Sequence, residues 1–132
     1  MSDQIKNFST NRWLTAGALM GFFSVALGAF GAHSLADILG PASMKTWHTS
    51  SRYLMYHALA LCFVSVLISF RPNSKSLLWS ARCFFLGNLV FSGSLYILAY
   101  TGIKVLGAIT PIGGTIQLIG WLLLAYTGWK RL

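Results

Sequence analysis

Four stretches of the chain carry almost no charged side chains, and polar segments of unequal length separate them. The apolar stretches cover residues 13–32, 53–70, 77–100 and 105–129. Each is near the roughly 20 residues that an α-helix needs to cross the hydrocarbon core of a bilayer. None alternates with period two, as the strands of a membrane β-barrel do. The core holds no water to satisfy backbone N–H and C=O groups, so such stretches must be helical. The pattern predicts an all-α membrane protein. It has a single transmembrane domain over residues 1–132, with four transmembrane helices in an antiparallel bundle.

The connections add detail. The first, residues 33–52, is long enough to hold structure of its own. Pro41 suits a first helical turn, and Met44, Trp47, His48 and Ser51 recur at three- and four-residue spacing. They predict a short interfacial helix between the first two spans. The second connection is a polar turn with Pro72, Asn73 and Ser74. The third, residues 101–104, is tight and predicts an antiparallel hairpin. In Thr110-Pro111-Ile112-Gly113-Gly114, proline removes a backbone donor and two glycines follow. The fourth helix is expected to start, bend or locally unwind there.

Composition narrows what such a bundle does. Of 132 residues, 55% are hydrophobic and 9% charged, against about 25% charged in a soluble domain. That excludes a water-exposed globule, a disordered chain, a disulfide scaffold and a coiled coil. Cys62 and Cys83 lie inside apolar stretches and read as small reduced core residues. Ten Lys and Arg against Asp3 and Asp37 give a net charge of +8. The basic residues are scattered singly with no basic stripe, so no nucleic-acid partner is expected. The lipid bilayer is the expected partner of the charge. Lys6, Arg12, Arg71, Lys75, Arg82, Lys130 and Arg131 fall on one side of the membrane. Lys45, Arg52 and Lys104 fall on the other. The excess of positive residues stays inside, so the amino and carboxyl termini are both predicted to be cytoplasmic. The first stretch is longer than a signal-peptide core and three more follow, so it reads as a span.

Lipid tails are as apolar as leucine, so helices associate in a membrane through close packing at small residues and through hydrogen bonds. Gly17, Gly21, Ser24, Gly28 and Gly31 share one face of the first helix. Ala58, Cys62, Ser65 and Ser69 form a matching stripe on the second. Ser92, Gly93 and Ser94 in the third span, with Gln117 and Gly120 in the fourth, are further predicted packing positions. Asn88 and Gln117 are amides within spans and need partners, either facing backbone or each other.

Few side chains offer chemistry. His33 ends the first span, and His57 lies about one turn into the second. Antiparallel helices would bring both to the same outer depth, near Tyr53, Tyr56, Pro111 and Gly113. These six residues form the candidate polar or ligand site. Paired imidazoles relay protons or bind haem or metal, but two His without Cys or Glu make a poor zinc site. No metal ligand set, catalytic residue or cofactor is therefore assigned. No span contains a carboxylate, so proton-coupled exchange lacks its usual residue. Phosphate-loop, Gly-x-Ser-x-Gly and zincin motifs do not occur, so an enzyme is not expected.

Four motifs occur in order: Val25-Ala26-Leu27-Gly28-Ala29-Phe30-Gly31-Ala32-His33, Tyr53-Leu54-Met55-Tyr56-His57-Ala58-Leu59-Ala60-Leu61, Phe91-Ser92-Gly93-Ser94-Leu95-Tyr96, and the Thr110–Gly114 segment. Together they resemble the YgdD family, the domain of unknown function 423. This is a group of small inner-membrane proteins of bacteria, with mitochondrial relatives in animals. The resemblance runs from about Arg12 to Arg131. It implies a four-helix, multi-pass protein of the bacterial inner (cytoplasmic) membrane and carries no activity with it. The leading expectation is a non-catalytic accessory or assembly partner of a membrane complex, or a homo-oligomer. The alternative is a small transporter or ligand-binding protein with a polar site at the outer face, around His33 and His57. A third reading is a redox subunit holding haem between them.

Overall fold

The computed structural model describes residues 2–130, and for residues 2–11 the backbone alone. The side chains of Asp3 and Lys6, and Arg131 altogether, lie outside what the structure describes. Helix α1 (Ser2–Phe30) continues through a π-helical turn, Gly31–Leu35. Then follow α2 (Pro41–Phe70), α3 (Lys75–Thr101) and α4 (Leu106–Trp129). All four helices are long and apolar enough to cross a membrane, the first over Arg12–Leu35. Short connections make neighbours antiparallel. The termini and the α2–α3 turn share one end of the bundle, here the terminal end. The α1–α2 connection and the α3–α4 turn share the distal end.

Local chemistry explains the helix ends. Pro41 occupies the first turn of α2, where its missing N–H costs nothing. Ser74 caps α3, its Oγ accepting from the Leu77 N–H at 3.4 Å. Gly102 ends α3 at φ 71°, and its N–H donates to the Leu98 carbonyl at 2.8 Å. That left-handed position favours glycine and turns the chain directly into α4.

Two expectations need correction here. The segment predicted as a separate interfacial helix is helical, but it is the first turns of α2 and runs unbroken into the second span. Nothing between Pro41 and Phe70 interrupts the hydrogen-bonded ladder, since that segment has no glycine or further proline. Likewise α4 neither starts nor unwinds at Pro111: it is continuous through that residue and starts five residues before it. A proline so near the helix start deprives only one carbonyl of its donor, and the helix accommodates this.

Consecutive helices pack along their lengths, while α1 touches α3 only lightly. Helices α2 and α3 are central, and α1 and α4 flank them with lower burial. Two apolar clusters result. The larger, toward the terminal end, gathers Met20, Leu54, Leu61, Val64, Leu77 and Phe84. The smaller, at the distal end, holds Leu35, Trp47 and Ala99. Between them lies a polar layer built from Ser24, Ser50, Ser51, Asn88, Ser92 and Tyr96.

Small residues set the helix separations. A Cβ on Gly17 would stand 2.6 Å from Cys62 Sγ and 3.0 Å from the Ala58 carbonyl. One on Gly87 would stand 2.9 Å from the Gln117 backbone nitrogen, and one on Gly120 3.0 Å from Phe84. Gly28 faces Ser51 at an ordinary 3.7 Å. A Cβ on Gly113 would overlap the Phe91 backbone, so α3 and α4 touch there main chain to main chain. Gly31 is equally constrained, because the Trp47 indole occupies the place of its Cβ. Gly21 and Gly93, predicted as packing positions, have nothing within 4 Å of where a Cβ would stand. Gly21 shares the spacing of the α1 stripe, but the helix crossings leave its level open.

Gly31→Ala is expected to displace Trp47 and break its indole N–H bond to the Leu27 carbonyl, 2.8 Å long. Thermal melting in detergent should show a loss of about 1–3 kcal/mol. Gly93→Ala, with open space at its Cβ, should melt at or slightly above the wild-type temperature.

Candidate functional site

Asn88 is fully buried on α3 and links all four helices. Its Nδ2 donates to the Leu54 carbonyl of α2 at 3.1 Å and to Met20 Sδ of α1 at 3.4 Å. Its Oδ1 accepts from Gln117 Nε2 of α4 at 3.4 Å and from Ser92 Oγ at 3.2 Å. Both ends of the amide are thus engaged. Ser92 extends the network, since Ser50 Oγ donates to the Ser92 carbonyl at 2.7 Å and Ser92 Oγ to the Ser50 carbonyl at 3.3 Å. Ser24 Oγ donates to the Ser51 carbonyl, and Ser51 Oγ pairs with the Tyr96 hydroxyl, each at 2.7 Å. On the other side of α3, Ser80 Oγ reaches the Gly120 carbonyl at 2.9 Å, and Ser94 pairs with Thr110 at 2.7 Å. No buried side-chain nitrogen or oxygen among the described residues lacks a partner.

His57 lies sixteen residues into the 30-residue α2, at mid-depth rather than one turn from the outer surface. Its Nε2 lies 3.0 Å from Trp121 Nε1, and its Nδ1 2.9 Å from the Tyr53 carbonyl. An indole N–H only donates, so Nε2 must accept and Nδ1 must carry the proton. These partners assign a neutral imidazole with both nitrogens engaged. The ring also meets Phe84 and lies nearly parallel to Tyr53, with centroids 6.3 Å apart.

The groove between α2 and α4 has a volume of about 390 Å³. It joins Tyr53, His57, Pro111, Gln117 and Trp121, with Phe91 of α3 as its floor. Gly113 sits behind it against the Phe91 backbone. Tyr56 is exposed and packs on Tyr53 at 5.6 Å. His33 is exposed on the π turn at the distal end. The structure does not bring it to His57. Gly17 faces Ala58, the residue after His57, and His33 lies sixteen residues beyond Gly17. At 1.5 Å per residue that is about 24 Å along the helix. The expected pair of imidazoles at one outer depth is therefore corrected. The physical reason is that α2 begins at Pro41, so His57 lies several turns deeper than a span starting at Tyr53 would place it. Among the described residues no cluster of three or more His, Cys, Asp and Glu forms.

In the sequence Asn88 stands out as a polar residue that needs a partner; that its partners come from every helix is a property of the tertiary structure. Trp121 carried no signal, because an apolar residue in an apolar span looks the same whether it faces lipid or a histidine.

Four membrane-crossing helices tied by a buried polar layer define a small multi-pass membrane protein. Comparison with known proteins agrees. The family model "Protein of unknown function (DUF423)" matches residues 27–114, and the chain belongs to this family. It is 45% identical over 120 residues to a UPF0382 membrane protein of Haemophilus influenzae, covering 91% of this chain and 95% of that one. It is 44% identical over 118 residues to UPF0382 membrane protein SH2409 of Staphylococcus haemolyticus, covering 89% and 95%. To UPF0382 membrane protein YwdK of Bacillus subtilis it is 40% identical over 120 residues, covering 91% and 98%. No solved structure matches the chain.

Asn88→Leu removes the donor to Leu54 and the acceptor for Gln117 and Ser92 while keeping the number and branching of side-chain heavy atoms. Reversible unfolding in mixed micelles should show a loss of about 1–3 kcal/mol, the cost of leaving buried polar partners unmatched. A double-mutant cycle of His57→Phe with Trp121→Phe should give a coupling of about 0.6–2 kcal/mol. A coupling near zero would show that this bond contributes nothing to the packing of α4.

Proposed function

We propose that this protein is a non-catalytic helix-packing subunit of the bacterial inner membrane, with both termini cytoplasmic. It serves as an accessory or assembly partner of a larger membrane complex, or as a homo-oligomer. The observation that carries this reading is how its buried polar side chains are used. Asn88, Gln117, Ser50, Ser92, Ser24 and His57 each bond one helix to another or to the backbone. Groups engaged in this way are unsuited to a substrate or a travelling proton, since each would first have to leave a partner with no water to replace it.

The flanking helices support the same reading. They expose Phe22 and Val25 on α1, and Leu118 and Leu122 on α4. Such faces meet lipid or another apolar helix. The charge asymmetry supports the orientation, because basic residues resist translocation.

Two measurements test the proposal. The intact chain taken from native membranes in nanodiscs and weighed by mass spectrometry should appear in a stoichiometric assembly heavier than the 14.5 kDa protomer. A strictly monomeric species overturns the assembly role. Fusions after Leu132 should give an active cytoplasmic fluorescent reporter and an inactive periplasmic phosphatase. The opposite pair of results reverses the orientation.

A further inference from the structure

A second groove lies on the other side of the molecule, between α1 and α3, with a volume of about 620 Å³. Leu19 and Phe23 of α1 form one wall, and Phe85 and Leu89 of α3 the other. Its terminal end opens at Arg12. Arg12 also borders a smaller, more polar cavity of about 200 Å³, where Arg82 is the facing side chain. Arg12 therefore lines both the apolar groove and the two-arginine cavity.

From Arg12 to Phe23 is eleven residues, about 16 Å along the helix axis. That is close to half of a hydrocarbon core about 30 Å thick, the depth of one leaflet. Helices α1 and α3 are parallel, so Arg12 and Arg82, near the start of each, lie toward the same end of the bundle and share the smaller cavity. The Arg82 guanidinium lies over the Trp79 ring at 4.7 Å. A guanidinium beside a cavity offers in-plane N–H donors that match an oxyanion. The chain carries ten Lys and Arg against two Asp, so the electrostatics favour a negatively charged occupant.

We propose that this groove is a binding site for one anionic phospholipid, its phosphate between Arg12 and Arg82 and an acyl chain between Leu19, Phe23, Phe85 and Leu89. The site is independent of the groove at His57 and of the assembly role. It combines a charged interfacial seat with an apolar channel one leaflet deep, which a zwitterionic lipid fits in shape but not in charge.

Native mass spectrometry of the full chain, released from nanodiscs of equal phosphatidylglycerol and phosphatidylcholine, tests the site. The wild type should retain one phosphatidylglycerol per protomer. The double variant R12Q/R82Q should lower the phosphatidylglycerol-to-phosphatidylcholine ratio at least about tenfold, because removing both positive charges removes the preference for the lipid of net negative charge. Ala16→Phe, which fills the groove without touching the charges, should reduce retention of either lipid. Lys104→Gln at the distal end should change nothing. Equal retention of both lipids by the wild type, or an unchanged ratio in the double variant, overturns the proposal. So does retention that survives A16F, or displacement by inorganic phosphate, since either describes an anion seat without a chain. A dimer mass with no retained phosphatidylglycerol overturns it too, by giving the groove to a second copy. If the double variant loses its helical circular dichroism, Arg82→Gln alone is read on the same ratio and by the same criterion.

Discussion

A polar group buried between helices in a membrane finds its partner on another helix or goes without, because no water is there to substitute. Asn88 meets this constraint at the one place where every helix is within reach. Met20, Leu54, Ser92 and Gln117 each supply one partner. Sliding any helix by a turn would move it about 5.4 Å and break its bond to the amide. The network around Asn88 thus specifies a register that apolar side chains alone would leave loosely defined, since leucine against leucine is barely better than leucine against lipid.

The rest of the bundle is arranged around that level. Apolar clusters lie above and below the polar layer, and close contacts at Gly17, Gly87 and Gly113 bring backbones near enough for short serine bonds to carbonyls of the neighbouring helix. At the distal end, the π turn that closes α1 lies where the Trp47 indole crosses Gly31 to reach the Leu27 carbonyl. A side chain at Gly31 would keep the indole out, and the polar layer would lose the aromatic lid formed by Trp47 and Tyr96, whose centroids are 4.7 Å apart. The glycine-rich end of α1 is therefore a docking surface within the molecule.

The two lateral grooves differ in chemistry for the same geometric reason. Helices α1 and α4 each pack closely on one central helix and only lightly on the other, leaving an open seam on each side. The seam at α4 contains His57, held neutral by its bonds to Trp121 and the Tyr53 carbonyl. The seam at α1 is apolar and headed by arginine.

The four crossings, their approximate limits, the helix start at Pro41, the tight α3–α4 turn and membership of the family were all legible in the sequence. Span length is set by bilayer thickness acting on a continuous stretch of chain, so it shows in residue order alone. The need of Asn88 and Gln117 for partners was equally visible, because an amide in hydrocarbon is costly wherever it sits. Which residues share a depth was not visible. His33 and His57 looked adjacent because the second span was taken to begin at Tyr53, whereas α2 begins twelve residues earlier. Gly21 stands four residues from Gly17, which does touch a neighbour, yet its own level is open. The sequence by itself determined how many helices cross the membrane and which of their residues must find company. Only the tertiary structure decided which company they found, because depth and crossing depend on pairwise contacts between helices far apart in the chain.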